Sequence, residues 1–181
     1  METRSGKTSR LGVPAGIKAV FLVGFMGAGK TSVGRALAAQ LGWSFVDLDM
    51  EIERSQKMPV RDIFLKSGEA HFRQLEHEHL TRLSERPRVV IALGGGASVD
   101  PENRRVIDST GTSVWLNVPF DTASRRVSMD GTRPLFKDLE HAERLFETRL
   151  PIYKLARIHV LADNRPPAEI AGEVAMRLQE L

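Results

Sequence analysis

The 181-residue chain contains no cysteine, which excludes disulfides, thiolate metal sites and cysteine nucleophiles and fits a reducing compartment. It has no apolar run approaching the length of a membrane span, so no membrane partner is expected. Residues 1–17 (METRSGKTSRLGVPAGI) lack the apolar stretch of a secretory signal. They read as a disordered tail, with a short basic targeting arm as the alternative, ahead of a single domain over 18–181. Nor is there a large excess of one charge. Lys and Arg total 26 against 23 Asp and Glu, for a formal net charge of +3, and the arginines are scattered. With no basic stripe and no nucleic-acid module, nucleic acid is not an expected partner. A modest positive surplus suits anionic small molecules instead. Repeats and low-complexity tracts are absent, and 41% hydrophobic with 27% charged residues is ordinary for a soluble globular protein. A cytoplasmic monomer large enough to bury its own core is expected.

What is present is concentrated at residues 20–34 (VFLVGFMGAGKTSVG). Residues 18–23 form a short apolar, partly β-branched run, the pattern of a buried strand. Gly24 to Thr31 then satisfies G-x-x-x-x-G-K-[ST] in full, and Val33, Leu37, Ala38 and Leu41 repeat at helical spacing up to Gly42. A polyphosphate needs many donors converging on one point, and backbone N–H groups supply them only where side chains leave room. Gly24, Gly27 and Gly29 leave that room, with Ala28 and Ser32 completing the loop. The helix behind Gly29 adds unpaired amides and its positive dipole end. Lys30 is placed to reach the β- and γ-phosphates, and the Thr31 hydroxyl to ligate Mg2+.

Further along, residues 43–46 read as a second strand ending in Asp47-Leu48-Asp49. In an open parallel sheet, strand carboxyl ends face the ligand crevice. If the extended geometry persists through Leu48, the two carboxylates share a side, one for magnesium and one for a substrate hydroxyl. The bland alternative is a solvated turn with Asp49 capping the next helix. Residues 60–67 and 69–84 read as two helices separated at Gly68, with Phe72, Leu75, Leu80 and Leu83 inward and Arg73 spaced to pair with Glu76. His71, His77 and His79 form no H-E-x-x-H and are expected on a solvated face.

Residues 89–93 (VVIAL) predict a central strand ending in Gly94-Gly95-Gly96, where backbone can approach a ligand closely. The strand lacks a terminal acidic residue, so that role passes to Asp47. Asp100-Pro101 starts a helix. D-x-x-G at 108–111 reads as a turn, since no N-K-x-D comes after it. Residues 113–118 form a fourth strand and 119–127 a helix capped by Asp121. Residues 128–138, with Gly131 and Pro134 around Arg133, read as a closing lid whose arginine stabilises the transferring phosphoryl group. The next helix spans 140–156, with Tyr153 inward, Arg149 elsewhere and a kink or break at Pro151. A fifth strand at 158–161 and a helix from Pro167 close the chain.

Taken together, GFMGAGKTSVG (24–34), FVDLD (45–49), SGEAHFRQLE (67–76) with GGG (94–96), and RPLF (133–136) with RLPIY (149–153) resemble shikimate kinases in motif order and spacing. The likeness runs from about residue 17 onward. It implies an α/β P-loop fold of the nucleoside-monophosphate-kinase type, with a five-stranded parallel sheet in order 2-3-1-4-5. It further implies transfer of the ATP γ-phosphoryl group to the 3-hydroxyl of shikimate. By position, Lys30 and Thr31 would serve phosphates and magnesium, with Asp47 supporting the metal through water. Asp49 would bind the shikimate hydroxyls and receive or orient the attacking proton. Arg73 and Arg149 would grip the substrate carboxylate, Gly94, Gly95 and Gly96 would floor the ring, Arg133 would come from the lid, and Arg126 would lie against adenine. Thr31 stands where Ser is frequent, and RPLF ends in Phe where Leu is common. Alternatives are another small-molecule kinase, such as one acting on gluconate, and a non-catalytic ATP-binding regulatory protein.

Overall fold

In the computed structural model, which describes residues 12–127 and 138–181, β1 (Ala19–Val23) is buried at every position. Its unbroken apolar run reflects its place in the middle of a five-stranded parallel sheet, order β2-β3-β1-β4-β5. The other strands are β2 (Ser44–Asp47), β3 (Val89–Ala92), β4 (Gly111–Asn117) and β5 (Ile158–Leu161). This is the order that the family resemblance implies. Register runs straight across the sheet: Asp47 opposes Ala92, and Ala92 opposes Leu22.

Helices α1 (Lys30–Leu41) and α7 (Pro167–Gln179) pack on each other, while α3 (Val60–Ser84) packs on α2 (Leu48–Gln56) and α4 (Pro101–Thr110). α1 lies tight on the sheet, since a β-carbon at Gly34 would sit 2.5 Å from the Phe45 ring. Gly42 ends α1 at φ 67°. In α3, the non-helical Gly68 (φ 81°, ψ 170°) divides two helical stretches, as the sequence indicates. The remaining helices are α5 (Phe120–Val127) and α6 (Leu139–Tyr153). Val13 and Ile17 pack against the core ahead of β1.

Several local expectations are corrected. β2 ends at Asp47 and α2 starts at Leu48, so the extended geometry does not carry through to Asp49. Asp47, not Asp49, caps α2, its Oδ1 accepting from the Met50 amide at 3.3 Å. Asp121 lies inside the first turn of α5 rather than capping it. Residues 108–110 close α4 and Gly111 opens β4, leaving no separate turn. The histidines do not share a solvated face. His79 is buried with Nδ1 donating to the Leu75 carbonyl at 2.8 Å, and His77 Nδ1 donates to Asn103 Oδ1 at 2.7 Å. α6 continues through Pro151 to Tyr153. Pro151 sits in the last turn, so only the two residues that complete the helix lie beyond the amide bond it forgoes.

Gly111 opposes Ala19 in the β1–β4 ladder, and a β-carbon on it would lie 2.1 Å from the Ala19 carbonyl oxygen. Gly111→Ala is therefore expected to destabilise the protein by about 1–3 kcal/mol through overpacking. Urea denaturation checks this, and an unchanged midpoint would contradict so close an approach.

Candidate active site

The turn after β1 shapes a cavity of about 300 Å³ at the carboxyl edge of the sheet. Gly27 has φ 78°, and a β-carbon there would meet the Ala123 carbonyl oxygen at 2.3 Å, so only glycine lets α5 pack on the loop. Gly29 (φ 88°) is the residue before α1, and among the described residues no side chain caps that helix. The first-turn amides are thus left for an anion rather than for a neighbouring side chain. Lys30 Nζ donates to the carbonyls of Gly24 at 2.8 Å and Phe25 at 2.9 Å, which holds the ammonium group within the loop.

Thr31 Oγ1 donates to Asp47 Oδ2 at 2.6 Å, so the carboxylate that caps α2 also fixes the hydroxyl expected to meet a metal. Among the described residues, no group of three or more His, Asp or Glu is placed to hold a metal ion. A hydroxyl and a carboxylate beside a phosphate cavity fit magnesium, which keeps water and phosphate as most of its ligands. Ser32 and Arg126 line the same cavity, and Arg126 Nη1 donates to the Gly27 carbonyl at 3.2 Å. Ala28 does not line it. Its side chain is buried and its amide donates to the Phe25 carbonyl at 3.2 Å. Arg133 and all but the last residue of the lid segment lie outside the described residues.

A second cavity adjoins the first, and Met26, Asp49, Gly94 and Gly95 belong to both. Its apolar wall is Met26, Val60, Phe64 and Phe72. Its polar groups are sorted by sign along the glycine triplet. At Gly94, a β-carbon would lie 2.7 Å from Asp49 Oδ1 and 3.0 Å from Glu76 Oε1. At Gly96, one would lie 2.7 Å from Arg73 Nη2 and 2.9 Å from Arg149 Nη2. Two carboxylates therefore converge at one end and two guanidinium groups at the other. Arg149 is only 6% exposed, brought inward from α6 where the sequence placed it elsewhere. α2 supplies Asp49 from its first turn, so Asp47 and Asp49 do reach one crevice, though not by strand alternation.

Glu76 is the site residue that sequence reasoning left as a mere partner. Its Oε2 accepts from Arg73 Nη1 at 2.7 Å, and Arg73 Nη2 reaches Glu69 at 3.2 Å. The Oε1 atom is buried and accepts no hydrogen bond among the described residues. Burial pushes the Glu76 carboxyl up to about 7, against the pull of Arg73, with the nearby Asp49 charge adding to the rise. The three-residue spacing from Arg73 was the available signal, but the burial that raises the carboxyl comes from tertiary packing.

Chemically, the two cavities together can hold a polyphosphate and, across Asp49, a small hydroxylated carboxylate. A family model described as shikimate kinase matches residues 26–179. The chain is 39% identical over 161 residues to a shikimate kinase of Persephonella marina, covering 88% of this chain and 98% of that one. It is also similar to a solved shikimate kinase from Acinetobacter baumannii in complex with shikimate. That match has TM-score 0.88 and 34% identity, over 91% of this chain and 94% of that one. A gluconokinase from Sinorhizobium meliloti, at TM-score 0.63 and 20% identity over 91% of this chain and 93% of that one, shares the fold alone.

Raising the Glu76 carboxyl from 4.5 to about 7 in the folded state means that the folded protein binds the proton more tightly than the unfolded chain. The contribution to stability is present below the unfolded value and is lost as pH rises through the folded one. Wild type should therefore lose stability relative to Glu76→Gln between those two values and run parallel to it above them. Denaturation midpoints of both proteins across that range are the check, and parallel curves throughout would contradict the shift.

Proposed function

The chain belongs to the shikimate kinase family, and on that premise we propose that it transfers the γ-phosphoryl group of ATP to the 3-hydroxyl of shikimate. The products are shikimate 3-phosphate and ADP, on the route to chorismate and the aromatic amino acids. The observation that supports this reading best is the sorting of charge along Gly94 to Gly96 beside a P-loop cavity. A shikimate carboxylate suits the paired guanidinium groups of Arg73 and Arg149, and its hydroxyls suit the Asp49 end.

The residues divide the work between nucleotide and acceptor. The loop amides from Gly27 onward and the Lys30 ammonium neutralise the β- and γ-phosphates. Arg126, tied to the Gly27 carbonyl, stacks on adenine. Thr31 and Asp47 would hold Mg2+, which when bound spreads the charge of the phosphates. Asp49, common to both cavities, accepts the hydrogen bond of the attacking hydroxyl and orients its oxygen toward the γ-phosphorus. As the new P–O bond forms, the bond to the β-phosphate bridging oxygen breaks and ADP leaves with the electron pair. The hydroxyl proton passes to the Asp49 carboxylate. Because the transition state of phosphoryl transfer is loose, alignment and charge neutralisation contribute more than base strength.

A coupled assay of ADP release with ATP and magnesium should show turnover with shikimate and none with gluconate, nucleoside monophosphates or no acceptor. Turnover with gluconate instead would move the acceptor pocket to the alternative kinase, and acceptor-independent ADP release would contradict both. Asp49→Asn should lower kcat/KM for shikimate about a hundredfold or more. Near-normal turnover at saturating shikimate would remove Asp49 from the chemistry.

A further inference from the structure

Tyr153 is the only tyrosine in the chain, and it lies behind the acceptor cavity rather than in it. Its side chain is 1% exposed, with its ring stacked near Trp115 at a centroid distance of 6.5 Å and an interplanar angle of 29°. Its hydroxyl donates to the Gly95 carbonyl at 2.6 Å. The Arg149 guanidinium, one helical turn earlier on α6, is a favourable electrostatic neighbour of the same hydroxyl. The phenol oxygen therefore holds the middle residue of the glycine triplet and stands beside one of the two arginines. Arg149 and the triplet are also in close mutual approach, with a β-carbon on Gly95 lying 3.3 Å from Arg149 Nη1.

We propose that Tyr153 is a positioning residue for the acceptor, its hydroxyl fixing the Arg149 fork against the Gly94–Gly96 floor at the spacing a bound carboxylate requires. The proposal rests on the shikimate kinase reading and adds a residue to its substrate site. Two features fit the role. The phenol must donate to the Gly95 carbonyl while presenting its oxygen to a neighbouring guanidinium, which only the neutral hydroxyl does. Burial keeps it neutral by pushing its ionisation up to about 12, far above any working pH. The aromatic contact with Trp115 on β4 anchors the ring to the sheet, so the oxygen is held by the core rather than by the ligand. Arginine has enough rotamer freedom that an untethered Arg149 would lose order, and that cost would fall on binding.

The test is Tyr153→Phe, which keeps the ring and removes the oxygen. Wild type is first assayed with shikimate, because absence of turnover there would defeat the functional reading and not this proposal. With turnover established, the variant should show a KM for shikimate raised about tenfold, the cost of leaving the Gly95 carbonyl without its buried partner. Its KM for ATP should be unchanged and its kcat within about twofold, because the hydroxyl touches neither nucleotide nor reacting atoms. A merely structural role would instead raise both KM values together, and an unchanged KM for shikimate would overturn the proposal outright. Should the variant fail to fold, fluorotyrosine labelling of the otherwise wild-type chain gives one fluorine resonance, from Tyr153 alone. That signal should shift on saturation with shikimate and stay fixed with ADP, and no response to shikimate would overturn the proposal.

Discussion

Everything at the site depends on the parallel pairing of β2, β3 and β1, which brings three strand ends side by side on one edge. Asp47, Ala92 and Leu22 stand in register, so backbone hydrogen bonds fix the segments leaving the three strands relative to one another. After β1 comes the phosphate loop, after β2 the start of α2 with Asp49, and after β3 the glycine triplet. A slip of one residue in any pairing would separate the phosphate cradle from the acceptor pocket. The stiffness of the buried ladder is thus what allows two cavities to share Asp49 and Gly94.

On that edge, charge is arranged rather than merely accumulated. The net surplus over the whole chain is small, yet Arg73 and Arg149 converge at Gly96 while Asp49 and Glu76 converge at Gly94. Glycine is what makes the arrangement compact, since a β-carbon at either end of the triplet would collide with a charged group. The Arg73–Glu76 ion pair at 2.7 Å keeps one guanidinium aimed, and the buried carboxyl tolerates its position only with an ionisation shifted upward. Thr31 and Asp47 play the matching part on the phosphate side, where one carboxylate both caps a helix and fixes the Thr31 hydroxyl.

Much of this was legible in the residues. The phosphate loop announces itself through spacing, and β1 and β3 through continuous apolar runs that only a covered sheet explains. The pairing of Arg73 with Glu76 is a consequence of helical geometry. Less legible were features set by tertiary contact. Asp47 and Asp49 do share a crevice, but a cap and a helical turn bring them there, because the Asp47 side chain ends β2 itself. His79 looked solvated in a charged stretch and is buried because α3 packs on neighbouring helices with more than its leucine stripe. The inward turn of Arg149 and the use of the Tyr153 hydroxyl depend on how α6 meets the triplet, which no local pattern encodes.

In the proposed reaction, one acceptor lies across Gly94 to Gly96 with its carboxylate on the arginines and its reacting hydroxyl at Asp49. A crystal structure with shikimate and ADP tests it most directly. The expected result places the carboxylate within hydrogen-bond distance of both Arg73 and Arg149, with the 3-hydroxyl on Asp49 and facing the phosphate loop. A carboxylate seated elsewhere, or a 3-hydroxyl turned away from Asp49, would contradict it.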